Sequence, residues 1–228
     1  MNINHNLESG MNIPQVKICG LTRVEEAKAC AALGAAAIGC VFFPASPRYV
    51  EDDQARAICG ALPRHVRSVG VFVDESFERI MVRVKHCRLQ AIQLHGRESP
   101  QLASRLAAEG LLVIKALWID GYPSLKNASA YPDAAFLVEG RRGKLPGGNA
   151  LEWNWRDAAG LDKRFPLIVA GGLTPDNVLQ AAKQSKASAL DVSSGVELRP
   201  GCKDLDRVRE FLTQTARCHT NQKQWRIF

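Results

Sequence analysis

One pattern constrains this chain more than any other. Short, continuous apolar runs alternate with amphipathic helical stretches from one end to the other. The runs lie at 16–19, 37–43, 68–73, 91–94, 111–118, 134–139, 167–170 and 190–192. Between them the spacing predicts helices over 23–33, 51–62, 76–86, 99–109, 175–182 and 203–216, with a short, weak one at 122–128. Runs that are apolar throughout mark parallel strands covered on both faces, whereas a half-exposed strand alternates. Eight such units in about 200 residues predict an α/β fold closed into a single (β/α)8 barrel, a fold that typically needs about 250 residues. A doubly wound open sheet is the competing architecture. It would place a Gly-x-Gly-x-x-Gly turn in the first unit, and the sequence has none there.

The barrel is expected over residues 15–217. Residues 1–14 are mostly polar and aperiodic and read as a flexible tail, within which Met11 is an alternative start. Residues 218–228 read as a second tail. No run approaches the roughly 18 apolar residues of a membrane span, and the first stretch lacks a signal-peptide pattern, so a cytoplasmic protein is expected. The net charge is +7, but the basic residues are dispersed and no aromatic-rich recognition motif accompanies them. That favours an anionic small molecule over a nucleic acid as partner. The seven cysteines have no Cys-x-x-Cys pair. They exclude a disulfide framework and a zinc motif, and predict mostly buried thiols in a reducing compartment.

Two late turns carry the first functional signal. Gly171-Gly172 follows the seventh strand, and Ser194-Gly195 follows the eighth. Glycine lets backbone N–H groups approach an anion closely, and a helix expected just beyond each turn adds its partial positive charge. Paired turns at this place in a barrel form a phosphate site.

Active sites in barrels lie at the C-terminal ends of the strands, which selects the remaining candidates. Cys19 ends the first strand beside Gly20. It is either a buried apolar cysteine or a reactive thiol, and Lys17, two residues earlier on the same strand face, would favour its thiolate. Arg48 lies in a loop stiffened by Pro44 and Pro47, suited to a bidentate hold on a carboxylate. Glu139 ends the sixth strand after an apolar run, where burial raises a carboxyl toward useful proton-donor range. His95 follows the fourth strand and is given a supporting role. Asp74 ends the third. Asp191 lies within the eighth strand, either hydrogen-bonded for structure or aimed at a substrate.

These residues fall in motifs that resemble the phosphoribosylanthranilate isomerases of tryptophan biosynthesis. The matching segments are Lys17-Ile-Cys-Gly-Leu-Thr22, Phe42-Phe-Pro-Ala-Ser-Pro-Arg-Tyr49, Val69-Gly-Val-Phe-Val-Asp74, Gln93-Leu-His-Gly96, Ala170-Gly-Gly-Leu173 and Asp191-Val-Ser-Ser-Gly-Val-Glu197, with Pro200-Gly201 and Lys203-Asp204. They run in the family's order along nearly the whole chain. The resemblance implies an Amadori rearrangement that needs no cofactor or metal. It implies Cys19 as general base and the acid ending the sixth strand as general acid. It also implies that Arg48 holds the anthranilate carboxylate and that Gly171, Gly172, Ser194 and Gly195 hold the phosphate. The partner implied is a small phosphorylated substrate, on a monomer or homodimer. One segment departs from the family pattern: Glu139 stands where the family has aspartate, and Gly147-Gly-Asn-Ala150 replaces a Gly-Gly-Thr-Gly loop. That departure leaves two alternatives open, a barrel isomerase of another sugar phosphate and a catalytically impaired ligand-binding homologue.

Overall fold

The computed structural model describes residues 13–141, 152–219 and 225–228. The N-terminal stretch through residue 12 and the loop at 147–150 lie outside the described residues. Eight parallel strands hydrogen-bond in sequence order and close on themselves, β1 meeting β8. They are β1 Gln15–Cys19, β2 Ala37–Val41, β3 Arg67–Phe72, β4 Ala91–Leu94, β5 Leu112–Asp120, β6 Ala134–Arg141, β7 Leu167–Val169 and β8 Ala189–Val192. Among the described residues six α-helices wrap this barrel: α1 Val24–Ala32, α2 Asp52–Gly60, α3 Phe77–Cys87, α4 Pro100–Ala108, α5 Val178–Ser185 and α6 Leu205–Ala216. No described helix is long and apolar enough to cross a membrane.

Local chemistry sets several of the helix ends. Ser76 caps α3 by accepting from the Arg79 N–H, and Ser99 caps α4 by accepting from Leu102 with Pro100 in the first turn. Asp204 caps α6 by accepting from Asp206 and Arg207. The connection after β5 is a 3-10 turn at Leu125–Ala130, and that after β6 is one at Trp155–Ala158.

Apolar side chains sort by strand parity. Ile18, Ile38, Phe72, Ile92, Val113, Phe136 and Val169 point outward into the layer shared with the helices. Ala37, Val69, Ala91, Ile114, Ala116, Trp118, Leu137, Ile168 and Ala189 fill the barrel itself. Each large aliphatic side chain fully buried this way stabilises the fold by about 1.5–3 kcal/mol. The same parity turns Lys17 and Cys19 of β1, Glu139 of β6 and Asp191 of β8 inward.

Two sequence expectations need correction. The helices do not begin just beyond the glycine turns. α5 starts at Val178, six residues after Gly172, and Ser194-Gly195 opens only a 3-10 turn, Ser194–Val196. A small antiparallel hairpin, β9 Glu197–Arg199 with β10 Cys202–Lys203, intervenes before α6. Nor do the last residues trail away as a tail. Ile227 and Phe228 join the interior cluster, each 6% exposed, and plug the N-terminal end of the barrel. The Gln15 amide binds them by accepting from both N–H groups and donating to the Phe228 carbonyl. Apolar area thus holds down a segment too short to show periodicity.

Candidate active site

The barrel mouth collects an unusual number of buried polar side chains. Lys17, Gln93, His95, Glu139 and Asp191 are each 8% exposed or less. Burying charges is costly unless they are paired, so their partners define what the site can do.

Lys17 and Asp191 occupy paired positions on β1 and β8. The ammonium donates to both carboxylate oxygens at 2.9 Å. Burial disfavours the Lys17 charge, but Asp191 and Cys19 together outweigh it and raise its pKa. Burial likewise pushes Asp191 upward against the pull of Lys17. Gly39 makes room for this pair. A Cβ there would lie 2.9 Å from the Cys19 sulfur and 3.1 Å from Lys17 Nζ.

Cys19 is half-buried at the end of β1, with its sulfur beside Lys17. Lys17 favours the thiolate, as its place on the same strand face predicts, but it is not the largest influence on Cys19. Burial raises the thiol pKa, and the neighbouring cation only partly offsets that, since Lys17 is already neutralised by Asp191.

Glu139 behaves as the apolar run before it predicts. Burial first, then the charge of Asp191, push its pKa up to about 7, with Lys17 pulling the other way. A carboxyl in that range is a competent proton donor near neutral pH. His95 Nε2 lies 3.9 Å from a Glu139 oxygen. Its Nδ1 is fixed at 2.8 Å by the amide of Gln93. The loop beneath is braced by Glu98, whose carboxylate accepts from the N–H groups of Gly96 and Asp74 and from buried Lys115. Asp74 thus belongs to the scaffold of this loop and also accepts from the Arg97 N–H.

Arg48 is drawn into the site rather than left in solvent, at 7% exposure. Its chain crosses Gly20 so closely that a Cβ there would meet Arg48 Cδ at 2.4 Å. Its guanidinium already has a carboxylate partner that the sequence reading does not supply. Nε and Nη2 donate to Glu197 at 2.9 and 2.7 Å.

The two glycine turns meet at the rim. Gly171 and Gly172 have φ of +84° and +69°, a region glycine adopts without strain. A Cβ on Gly195 would stand 1.8 Å from the Leu173 carbonyl oxygen, so only glycine lets the loops after β7 and β8 touch. Asn177 fixes the first loop, donating to the Gly172 carbonyl and accepting from the Thr174 N–H. Ser193, just before the second, donates to the Cys19 carbonyl at 3.0 Å. The base candidate and the anion rim are therefore mechanically linked.

Sequence reasoning leaves three contributors unassigned. Glu197 and Lys203 lie in quoted motifs but past the strand end, where the search for candidates stops. Trp153 donates to the Ala170 carbonyl, and its ring lies where a Cβ on Gly140 would collide. Its sequence signal is the segment Trp153-Asn-Trp155, which follows the glycine-containing loop and lines up with a Phe-Asp/Asn-Trp segment of the family. Among the described residues no group of three His, Cys, Asp or Glu side chains is placed to hold a metal ion.

A closed (β/α)8 barrel with two glycine turns meeting after β7 and β8, and with a cysteine and a buried carboxyl at its mouth, has the makings of a barrel enzyme that works by acid–base chemistry. Comparison with known proteins gives the particular family. Residues 16–214 match the family model of N-(5'-phosphoribosyl)anthranilate (PRA) isomerase. An N-(5'-phosphoribosyl)anthranilate isomerase of Desulfatibacillum aliphaticivorans is 47% identical over 218 residues, covering 96% of this chain and all of the relative. The crystal structure of phosphoribosyl anthranilate isomerase from Thermotoga maritima superposes with a TM-score of 0.82 at 38% identity, covering 90% of this chain and 99% of that one. Another structure of such an isomerase, in complex with reduced 1-(o-carboxyphenylamino)-1-deoxyribulose 5-phosphate, gives 0.79 at 37% identity, covering 90% and 99%. The chain belongs to the phosphoribosylanthranilate isomerase family.

Proposed function

We propose that this chain converts N-(5'-phosphoribosyl)anthranilate, an aminoaldose, into 1-(o-carboxyphenylamino)-1-deoxyribulose 5-phosphate. Glu139 protonates the furanose ring oxygen. The C1'–O bond breaks, and the nitrogen lone pair forms the C=N bond of the open chain. Cys19 as thiolate takes the C2' proton, and the resulting enolamine tautomerises to the ketone. The N–H groups of Gly171, Gly172, Ser194 and Gly195 hold the phosphate, Arg48 meets the anthranilate carboxylate, and His95 flanks Glu139.

The observation that carries this reading is the pair of inward side chains at the mouth. Cys19 sits beside the Lys17–Asp191 pair, and Glu139 is held neutral to about pH 7 by burial and by Asp191. The longer glutamate stands in the place of the family's aspartate and still meets the demand for a protonated donor. Family membership favours phosphoribosylanthranilate over another sugar phosphate. We read the protein as cytoplasmic, and as monomeric or homodimeric. A Thermotoga maritima isomerase 36% identical to it is described as dimeric.

A fluorescence-followed turnover assay with phosphoribosylanthranilate tests the reading. Wild type is expected to turn over, and Cys19→Ala to lose at least about 10²-fold in kcat with the general base removed. A Cys19→Ala variant that keeps most of the activity refutes the assignment. A wild type that binds the reduced product analogue but never turns over points to an impaired homologue.

A further inference from the structure

Arg48 presents an unexplained geometry for a substrate-binding arginine, because it already has a carboxylate. A guanidinium offers a carboxylate two edges that each carry a pair of N–H donors. One is the side edge, Nε with Nη2. The other is the end edge, Nη1 with Nη2. Glu197 occupies the side edge in bidentate fashion. Nε donates to Oε1 at 2.9 Å and to Oε2 at 3.2 Å, and Nη2 donates to Oε2 at 2.7 Å. Nη1 takes no part in that pair.

Glu197 is itself held in place. Its side chain is 3% exposed. Lys203, fully buried, donates to Oε1 at 2.7 Å, and the Gly201 N–H donates to the same oxygen at 3.3 Å. Lys203 is anchored in turn on the Ser193 carbonyl, in the loop whose hydroxyl reaches Cys19. Burial works against the Glu197 charge, but Arg48 and Lys203 outweigh it and keep the carboxylate below its usual pKa. Two cations and one anion leave the trio with a net positive charge, so an incoming anion is still attracted. The aliphatic stem of Arg48 is pinned across Gly20. Both ends of a side chain that is otherwise rich in rotamers are therefore fixed before substrate arrives.

We propose that Glu197 is a positioning residue that makes Arg48 a one-edged receptor, and that it thereby sets selectivity for an aromatic amine bearing a carboxylate beside the nitrogen. This inference rests on the isomerase reading and deepens it. With the side edge taken, a substrate carboxylate has only the end edge to use. That fixes the plane of the aryl ring relative to Cys19, which Arg48 passes at Gly20. Lys203 keeps Glu197 charged and in register.

Calorimetry with two probes tests it. One is reduced 1-(o-carboxyphenylamino)-1-deoxyribulose 5-phosphate. The other is the same compound made from aniline, which lacks the carboxylate. Glu197→Gln is expected to weaken the first by about tenfold to hundredfold, the worth of a charge-assisted hydrogen-bond pair, and the second by no more than about twofold. Arg48→Ala is expected to show the same selective loss. Equal weakening of both probes, or of neither, overturns the proposal, since a merely structural role moves both together. Should Glu197→Gln fail to fold, the double variant Glu197→Gln/Lys203→Met removes the unmatched buried charge and is expected to give the same selective loss. Turnover of phosphoribosylanthranilate is followed in parallel. Selective binding without any wild-type turnover would refute the isomerase reading alone. Wild-type turnover with unselective weakening would refute the role of Glu197 alone.

Discussion

Glu139 is expected to weaken the fold that carries it, in a pH-dependent way. Its carboxyl is raised from the ordinary 4.5 to about 7, chiefly by burial and then by the Asp191 charge. A group with a raised folded-state pKa contributes fully below the unfolded value, and that contribution is lost as pH rises through the folded value. At 1.36 kcal/mol per pKa unit, ionising Glu139 in place costs about 3 kcal/mol by pH 8. Glu139→Gln keeps the shape and removes the charge. It is therefore expected to match wild type near pH 4.5, to pull ahead between pH 5 and 7, and to stand up to about 3 kcal/mol more stable at pH 8. For a chain of this size that gap corresponds to roughly 6–12 °C in Tm. The same variant is expected to lose turnover, because an amide cannot give a proton to the ring oxygen. Denaturant melts of both proteins across pH 4.5–8.5 measure the difference. Curves that run parallel over the whole range would refute the claim that Glu139 is held neutral by its surroundings.

Asp191→Asn is expected to move the high-pH limb of kcat/KM, which reports the acid Glu139, to lower pH. It removes the charge that raises Glu139 and frees Lys17, which lowers it, so both changes act in one direction; a limb that stays in place or moves up contradicts this. Gly195→Ala is expected to raise KM by about 10²-fold, since its Cβ collides with the Leu173 carbonyl and shifts the rim by about 1 Å; steady-state kinetics read it. Phe228→Ala is expected to cost about 3 kcal/mol in a denaturant melt with kcat unchanged, because its ring plugs the end of the barrel away from the chemistry.

How much of this was legible in the chain follows from the range of the interactions involved. Strands buried on both faces write themselves as apolar runs, so the eight strand positions and the closed order can be read directly, and β4 is matched to the residue. The inward parity of Cys19 and Glu139 is equally local, a matter of counting along one strand. What the sequence hides is pairing. Lys17 reads as a cation free to activate a thiol, because its neutralising partner is 174 residues away on β8. Arg48 reads as free for the same reason, with Glu197 149 residues distant and Lys203 beyond that. The plug formed by Ile227 and Phe228 is invisible because two residues have no period. In each case the local residue type states what a side chain is able to do, and a long-range ion pair or a patch of buried area decides whether it is free to do it. The buried carboxyl of Glu139 is the instructive exception. Its principal perturbation is burial, and the run Phe136-Leu137-Val138 before it already marks this strand as buried on both faces.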